Sequence, residues 1–268
     1  MIGAGLLLSD SAFRRMTAFV SRIPAISSLV LTILTATAPA GALVGGHPDA
    51  QFADRVVMVL LRGGDEAGFC SGLVIDSRTV LTAAHCMKRA QDMAVFYRSA
   101  DGAPTIVAVE RAVAHPAYRP DAIRSRLRSI DVALARIARP LDPRFIPAAI
   151  GLDGSPSVGE RVILSGYGVT GDGDWRSGGT LRSVTLLVRE PASSVLVWAA
   201  NPNGATAGAC SGDSGAPFWS EDGTTAVAIA TWAQAQHGRG CGGLTQGPRL
   251  APLKGWIEQA KDGLANAR

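Results

Sequence analysis

Aromatic side chains are scarce in this chain of 268 residues: Phe, Trp and Tyr together make up only 6% of it. A hydrophobic core must therefore be built mainly from Val, Leu, Ile and Ala, and the hydrophobic content of 47% is sufficient for a large one. The chain contains only four Cys, without a Cys-x-x-Cys pair, so the pattern typical of a structural zinc site is missing. Four Cys can pair in three ways, and a metal site stays the alternative to disulfide bonds at this point.

Charge of one sign is not in large excess either, because the formal net charge is only +4. The concentrated basic segment contains Arg119, Arg124, Arg126 and Arg128, and no aromatic residue is interleaved with these arginines after Tyr118. Nucleic-acid sites usually combine basic and aromatic side chains. We therefore predict a solvated loop and no nucleic-acid partner, while acidic substrates or a negatively charged cell surface stay open as partners of this loop.

A hydrophobic run long enough to cross a membrane is missing near the start of the chain. Residues 23–38 form an apolar stretch interrupted by Ser and Thr, shorter than the ~20 residues that a transmembrane helix needs. Three arginines precede this stretch and the small residues of 38–42 follow it, which is typical of a signal peptide. We predict a cleaved signal peptide over 1–42 rather than a membrane anchor, with translation starting at Met1 or Met16.

Turn residues are abundant, with 31 Gly and 15 Pro between short segments rich in β-branched side chains. This composition favours an all-β fold over one with long helices. Apolar residues at helical spacing over 253–260 predict a short amphipathic helix at the end of the chain. The predicted strands form two groups of six, before and after a Pro-rich stretch: 55–61, 71–75, 79–82, 94–97, 105–113 and 132–137, then 161–167, 181–189, 195–199, 217–219, 226–232 and 247–250.

The segment 209–217, Ala-Cys-Ser-Gly-Asp-Ser-Gly-Ala-Pro, places Ser214 between an aspartate and a glycine. A serine hydroxyl is a weak nucleophile unless a base removes its proton and hydrogen-bond donors stabilise the oxyanion that forms on the substrate. Gly212 has no Cβ, so the chain can turn there and direct the N–H groups of Gly212 and Ser214 toward one point. Ser214 is therefore a candidate nucleophile.

Two upstream segments supply the other groups that such a nucleophile needs. His85 lies among small residues in Leu-Thr-Ala-Ala-His-Cys, and Asp131 stands at the head of an alternating apolar pattern. Other candidates lie in Gly-rich, Pro-rich or polar loop sequence: His47, His115, His237, Asp101 and Asp121. His85 and Asp131 are therefore the stronger candidates for the base and for the group that orients it.

In this order and spacing, the three segments resemble the histidine, aspartate and serine motifs of the trypsin/chymotrypsin family of serine endopeptidases. The resemblance covers about residues 43–260 and is to the bacterial, secreted type with non-trypsin specificity. It implies two packed six-stranded antiparallel Greek-key barrels, chymotrypsin-like, with a short C-terminal helix. The implied protease domain is 43–268, with an N-terminal barrel over 43–155 and a C-terminal barrel plus helix over 156–268.

The resemblance also implies the role of each candidate catalytic residue. His85 takes the proton of Ser214 and later protonates the leaving amine, while Asp131 holds the imidazole in the required tautomer. The backbone N–H groups of Gly212 and Ser214 form the oxyanion hole. A covalent acyl-enzyme on Ser214 is the implied intermediate.

The resemblance also implies an ion pair and two disulfide bonds near this site. The α-amino group of a mature chain starting at Leu43 would pair with the Asp213 carboxylate. The residue directly before Leu43 is Ala42 and not Arg or Lys, so cleavage of the signal peptide after Ala42 would create this terminus directly. The implied disulfide bonds are Cys70–Cys86 and Cys210–Cys241.

The specificity pocket is implied less directly. The resemblance places Gly208 at its floor, where trypsin-like members carry an aspartate, so selection for Arg or Lys is not expected. Trp232, Ala233 and Thr245 are implied as wall residues. We predict that the pocket accepts small or medium apolar side chains.

Together these observations predict a secreted serine endopeptidase, extracellular or periplasmic, monomeric, and without metal or other cofactor. Its expected partners are protein or peptide substrates and proteinaceous inhibitors, with no nucleic acid and no stable membrane anchor. One alternative is a catalytically silent binding protein on the same fold, which usually lacks a triad residue. Another is an esterase or acyl transferase, which only substrate tests separate because the tetrahedral intermediates are similar.

Overall fold

The computed structural model describes residues 43–63, 66–125, 127–151, 156–237 and 240–266. The predicted signal peptide over 1–42 and Arg126 of the basic segment lie outside the described residues.

The first half of the chain forms a closed barrel of six antiparallel strands, as predicted; their order around the barrel is Val56–Gly63, Glu66–Asp76, Thr79–Thr82, Ala133–Ile137, Pro104–Ala114 and Met93–Arg98. Its interior is lined by β-branched and aliphatic side chains such as Val59, Val80 and Val95, all fully buried. The predicted strand 71–75 is longer in the structure because residues 66–73 pair with the whole of the strand Val56–Gly63. The first seven strands are β1 (His47–Pro48), β2 (Val56–Gly63), β3 (Glu66–Asp76), β4 (Thr79–Thr82), β5 (Met93–Arg98), β6 (Pro104–Ala114) and β7 (Ala133–Ile137).

The second half forms a sheet of nine strands, which β1 joins by pairing with the strand Arg182–Val188. Its other strands are β8 (Ala149–Ile150), β9 (Arg161–Gly166), β10 (Arg182–Val188), β11 (Leu196–Ala200), β12 (Pro217–Ser220), β13 (Thr225–Ile229), β14 (Trp232–Gln234) and β15 (Leu244–Pro248). A bridge between Ala228 and Arg249 joins β13 to the residue after β15, and residues of β9 to β13 contribute to one core cluster. The mostly β, chymotrypsin-like architecture predicted from the sequence is therefore confirmed.

The second half differs from the prediction in three details. The segment 226–232 is not one strand, because Ala230 leaves β13 to accept a hydrogen bond from the Gly215 N–H, at 2.7 Å. The predicted strand 247–250 begins earlier, at Leu244, where pairing with β11 starts. The short β8 pairs in parallel with β13, because the connector from the first barrel runs alongside that strand.

A shared hydrophobic cluster holds the two halves together. It combines Leu81 of the first barrel with Trp219 and Ile229 of the second, and the Phe52 ring stacks on Trp219 at 4.7 Å between centroids. The predicted C-terminal helix is present as α2 (Lys254–Asn266), after the unpredicted single turn α1 (Ala122–Ser125), and buries Ile257 in the same cluster. Within the described ranges, no helix combines the length and apolarity that a membrane crossing requires.

Candidate active site

His85 projects from a 3₁₀ turn, Ala84–Cys86, that directly follows β4. Ala83, Ala84 and Cys86 are buried, and Cys86 is bonded to Cys70 on β3, so the backbone of this turn is held against the barrel. The small residues allow this close packing and leave the imidazole as the group that faces outward. Its side chain is 36% exposed, at the edge between the two halves.

Asp131 lies just before β7 and contacts His85 at two points. One carboxylate oxygen accepts a hydrogen bond from the His85 backbone N–H at 2.9 Å, and the other lies 2.7 Å from Nδ1 of the ring. Because an ionised carboxylate only accepts hydrogen bonds, this geometry assigns the ring proton to Nδ1. The other ring nitrogen, Nε2, is then free to accept a proton.

Ser214 lies in the loop between Cys210 and β12, on the second half of the chain. Its Oγ is 2.7 Å from Nε2 of His85, so the three predicted residues form one hydrogen-bonded series, Asp131–His85–Ser214. The two residues from the first barrel thus meet the serine of the second at the cleft. The geometry is that of a general base positioned against a hydroxyl nucleophile.

The backbone N–H groups of Gly212 and Ser214 are the two predicted donors of the oxyanion hole. No described residue accepts a hydrogen bond from the N–H groups of Gly212 and Ser214. Gly212 has a φ of +92°, and a Cβ at this position would lie 2.3 Å from the Phe69 ring. Only glycine fits here, and the N–H groups of Gly212 and Ser214 stay available as candidate donors to an oxyanion.

Ser71, on β3, is a residue of this site that the sequence analysis missed. Its backbone N–H donates to the Ser214 carbonyl oxygen at 2.8 Å, and its hydroxyl donates to the Gly212 carbonyl oxygen at 3.0 Å. The same hydroxyl accepts a hydrogen bond from the Tyr167 N–H at 3.0 Å. This fully buried serine therefore links the first barrel to the backbone of both Gly212 and Ser214. Its only sequence signal is its position directly after Cys70.

Asp213 is a completely buried carboxyl group directly before Ser214. It accepts hydrogen bonds from the backbone N–H groups of Gly168, at 2.8 Å, and Cys210, at 3.0 Å. Burial raises the pKa of Asp213 to about 7, although these two hydrogen bonds act in the opposite direction. No cation of the described residues forms an ion pair with it. The positive charge of Arg182 also acts to lower this pKa, and a cation in direct contact would favour the ionised form further.

The segment that begins at Leu43 reaches the same region. Leu43 is fully buried in the core of the second half, and the Gly208 N–H donates to the Val44 carbonyl oxygen at 2.9 Å. Gly208 and Val44 form a β-bridge next to the turn that contains Asp213. The start of the predicted mature chain therefore lies against the loop that carries the serine.

The residues predicted to form the specificity pocket lie together. Trp232 and Ala233 of β14 pair with Gln246 and Thr245 of β15. Thr245 is fully buried, and its hydroxyl accepts a hydrogen bond from the Ala209 N–H at 2.9 Å. A Cβ on Gly208 would lie 2.8 Å from that hydroxyl. The threonine therefore occupies space directly beside Gly208.

Two disulfide bonds join elements around the site, Cys70–Cys86 and Cys210–Cys241, and no described Cys is free. The one group of possible metal ligands among the described residues is Cys70, His85 and Cys86. Its two sulfur atoms are bonded to each other and are not available as thiolate ligands.

Comparison with known proteins agrees with this fold. The family model described as Trypsin matches residues 43–257. Trypsin epsilon of Drosophila erecta is 26% identical over 269 residues, covering 89% of this chain and 97% of its own length. Solved structures with the same fold include neuropsin, a serine protease expressed in mouse brain, with a TM-score of 0.65 at 22% identity, covering 82% of this chain and all of the other.

An inactivated protease paralogue from the scabies mite is also similar, with a TM-score of 0.63 and 24% identity over 80% of this chain and 98% of the other. These relatives come from animals, so they give no support for the bacterial type that the sequence suggested. The family model spans more than half of the chain and includes all three catalytic candidates. The chain therefore belongs to the trypsin family of serine endopeptidases.

Proposed function

We propose that this protein is a secreted serine endopeptidase in which His85, Asp131 and Ser214 form the catalytic triad. The observation that carries the proposal is the unbroken series of two 2.7 Å contacts, from Asp131 through His85 to the Ser214 hydroxyl. The fold alone would not be sufficient, because one structure with this fold is described as an inactivated protease paralogue.

In the proposed reaction, Ser214 Oγ attacks the carbonyl carbon of the scissile bond while Nε2 of His85 accepts the hydroxyl proton. Asp131 keeps the ring proton on Nδ1 and stabilises the imidazolium that forms. The free N–H groups of Gly212 and Ser214 donate to the oxyanion of the tetrahedral intermediate. His85 then protonates the leaving amine, and a water molecule, activated by the same nitrogen, hydrolyses the acyl-enzyme.

We also propose that the active form begins at Leu43, with residues 1–42 removed as a signal peptide during export. The ammonium group of Leu43 would then supply the positive partner that the buried Asp213 lacks. The location of Leu43 and Val44 against the Gly208 segment supports this pairing. The mature domain would comprise 43–268, divided near residue 155 into its two halves.

Small apolar side chains are the proposed choice at the scissile bond. Gly208 carries no charge that would attract Arg or Lys, and the buried Thr245 hydroxyl limits the depth available beside it. Because Ala233 adds a methyl group to the neighbouring wall, the pocket suits side chains such as those of Ala and Val.

The test is fluorophosphonate labelling of the purified mature protein, followed by mass spectrometry of the labelled peptide and of the N-terminus. The expected result is one adduct on Ser214 in a chain that starts at Leu43, and no adduct in the Ser214→Ala variant. Hydrolysis of an Ala amide substrate as well as the matching ester would separate an endopeptidase from an esterase. A chain that starts at Leu43, is folded and remains unlabelled would instead favour a silent binding protein.

A further inference from the structure

A cleft of about 660 Å³ extends from the catalytic candidates along the surface of the protein. Its lining includes His85 and Asp131 of the candidate triad, and also Trp232, which is a predicted wall residue of the specificity pocket. The specificity pocket holds the side chain next to the scissile carbonyl. Because the cleft shares Trp232 with that pocket, we expect it to bind the part of the peptide that becomes the acyl group. Further along, its surface is apolar, with Leu127, Val195, Leu196 and Pro248.

Two arginines interrupt this apolar lining, Arg119 and Arg128. They stand at the two ends of one loop, which is closed at its base by Ser129. The Arg119 N–H donates to the Ser129 hydroxyl at 2.8 Å, and that hydroxyl donates back to the Arg119 carbonyl oxygen at 3.3 Å. The backbone of Arg119 is therefore held beside Ser129, the residue that directly follows Arg128.

The charge around these arginines is not compensated within the described residues. Neither Arg119 nor Arg128 forms an ion pair there, and the carboxylate of Asp131, at the end of the cleft, is engaged by His85. Asp121 stands beside Arg119 in sequence but does not line the cleft. An apolar groove with two unpaired cations favours a ligand that has both apolar and acidic side chains.

We propose that this cleft selects peptide substrates with an acidic side chain three or four residues before the scissile bond, beside an apolar one. The proposal rests on the proposed endopeptidase function and adds a substrate class to it. Arg119 and Arg128 determine the preference for the acidic side chain, and Leu127 with Trp232 provides the apolar contact. Exposed ion pairs contribute modestly to binding free energy. We therefore expect the two arginines to raise kcat/KM for the Glu peptide about 5- to 10-fold over that for the Gln peptide.

The experiment uses the mature protein and two series of p-nitroanilides, acetyl-Xaa-Leu-Pro-Ala and acetyl-Leu-Xaa-Pro-Ala, in which Xaa is Glu, Gln or Lys. The expected order of kcat/KM in at least one series is Glu above Gln above Lys, and the differences shrink in 0.5 M NaCl. In the variant with Arg119→Ala and Arg128→Ala, the kcat/KM values of the Glu, Gln and Lys peptides converge. Arg161→Ala, which removes an exposed charge on β9 outside the cleft, retains the full preference.

Equal hydrolysis of the Glu, Gln and Lys peptides by the wild type would overturn the proposal and leave the endopeptidase function intact. A sulfated polysaccharide that binds the wild type but not the double variant, without any peptide preference, would assign the arginines to a polyanion instead, and this outcome also overturns the proposal. Failure to hydrolyse any peptide, with no fluorophosphonate adduct on Ser214, would refute the proposed function itself and the substrate class with it.

Discussion

In a chain that still carries residues before Leu43, we expect the buried carboxyl group of Asp213 to make the folded state less stable as the pH rises. Burial moves its pKa from 3.8 to about 7. Between these values the folded state retains a proton that the unfolded state has lost, so stability is full below about pH 4 and falls until about pH 7. About three pH units at ~1.4 kcal/mol each give a total loss of about 4 kcal/mol.

The assay compares two chains that differ by one residue, both with Ser214→Ala to prevent autolysis. One begins at Leu43 and the other at Ala42, which moves the α-amino group away from the buried carboxyl. Urea unfolding followed by tryptophan fluorescence measures the free energy of unfolding from pH 4.5 to pH 7.5. In this range we expect the longer chain to lose about 3 kcal/mol relative to the shorter one, in which an ammonium partner stabilises the carboxylate.

The variant Asp213→Asn in the longer chain is the control, because it removes the titrating group and should remove this excess pH dependence. If both chains show the same pH dependence, the α-amino group does not reach Asp213, and the proposed activation by signal-peptide cleavage is wrong. A matching comparison of fluorophosphonate labelling in the Ser214 forms would show whether the same pairing assembles the active site.

Three further changes test other parts of the site. Ser71→Ala removes a hydrogen bond to Gly212 and leaves the Tyr167 N–H without its acceptor, so we expect a loss of about 1–3 kcal/mol in unfolding and about a tenfold lower kcat at unchanged KM. Ser183→Ala, at another buried serine whose hydroxyl bonds to Asp49 and not to the loop that carries Ser214, should affect stability only, and an equal loss of kcat there would contradict the role of Ser71. Thr245→Ala should deepen the specificity pocket and raise kcat/KM for Leu over Ala peptides about tenfold; an unchanged ratio would place the threonine outside the pocket. Replacing both Cys210 and Cys241 with Ser opens a loop with a sequence separation of 31 residues, and urea unfolding should show a loss of about 4 kcal/mol; an unchanged free energy of unfolding would mean that the bond does not stabilise the protein.

Local sequence patterns predicted most of the strands because alternating apolar residues report directly on which face of a strand is buried. The strand β4 (Thr79–Thr82) has the bounds that its apolar alternation indicated, and β9 ends one residue earlier than expected. The prediction of one strand over 226–232 was wrong. The apolar run continues through Ala230, but a hydrogen bond from the Gly215 N–H, next to Ser214, interrupts the strand there. Such an interruption depends on a distant partner, which local periodicity does not contain.

The candidate site was predicted from residue identity and from resemblance to a family, not from apolar alternation. A nucleophile of this kind needs glycine at a position of positive φ, and Gly212 has a φ of +92° in the structure. The roles of His85 and Asp131 came from resemblance to a family, not from periodicity. Ser71 was missed because its importance lies in hydrogen bonds to Gly212 and Ser214, more than a hundred residues away in sequence.

The sequence by itself therefore determined the all-β class, the turns, the residue types of the candidate triad and the absence of a charge at Gly208, because each is a property of local pattern or of residue identity. Only the tertiary structure decided the distances between His85, Asp131 and Ser214, the complete burial of Asp213 and the placement of two arginines along the cleft. These properties arise when the two halves pack together, since the packing brings distant segments within hydrogen-bonding range and excludes water from the groups between them.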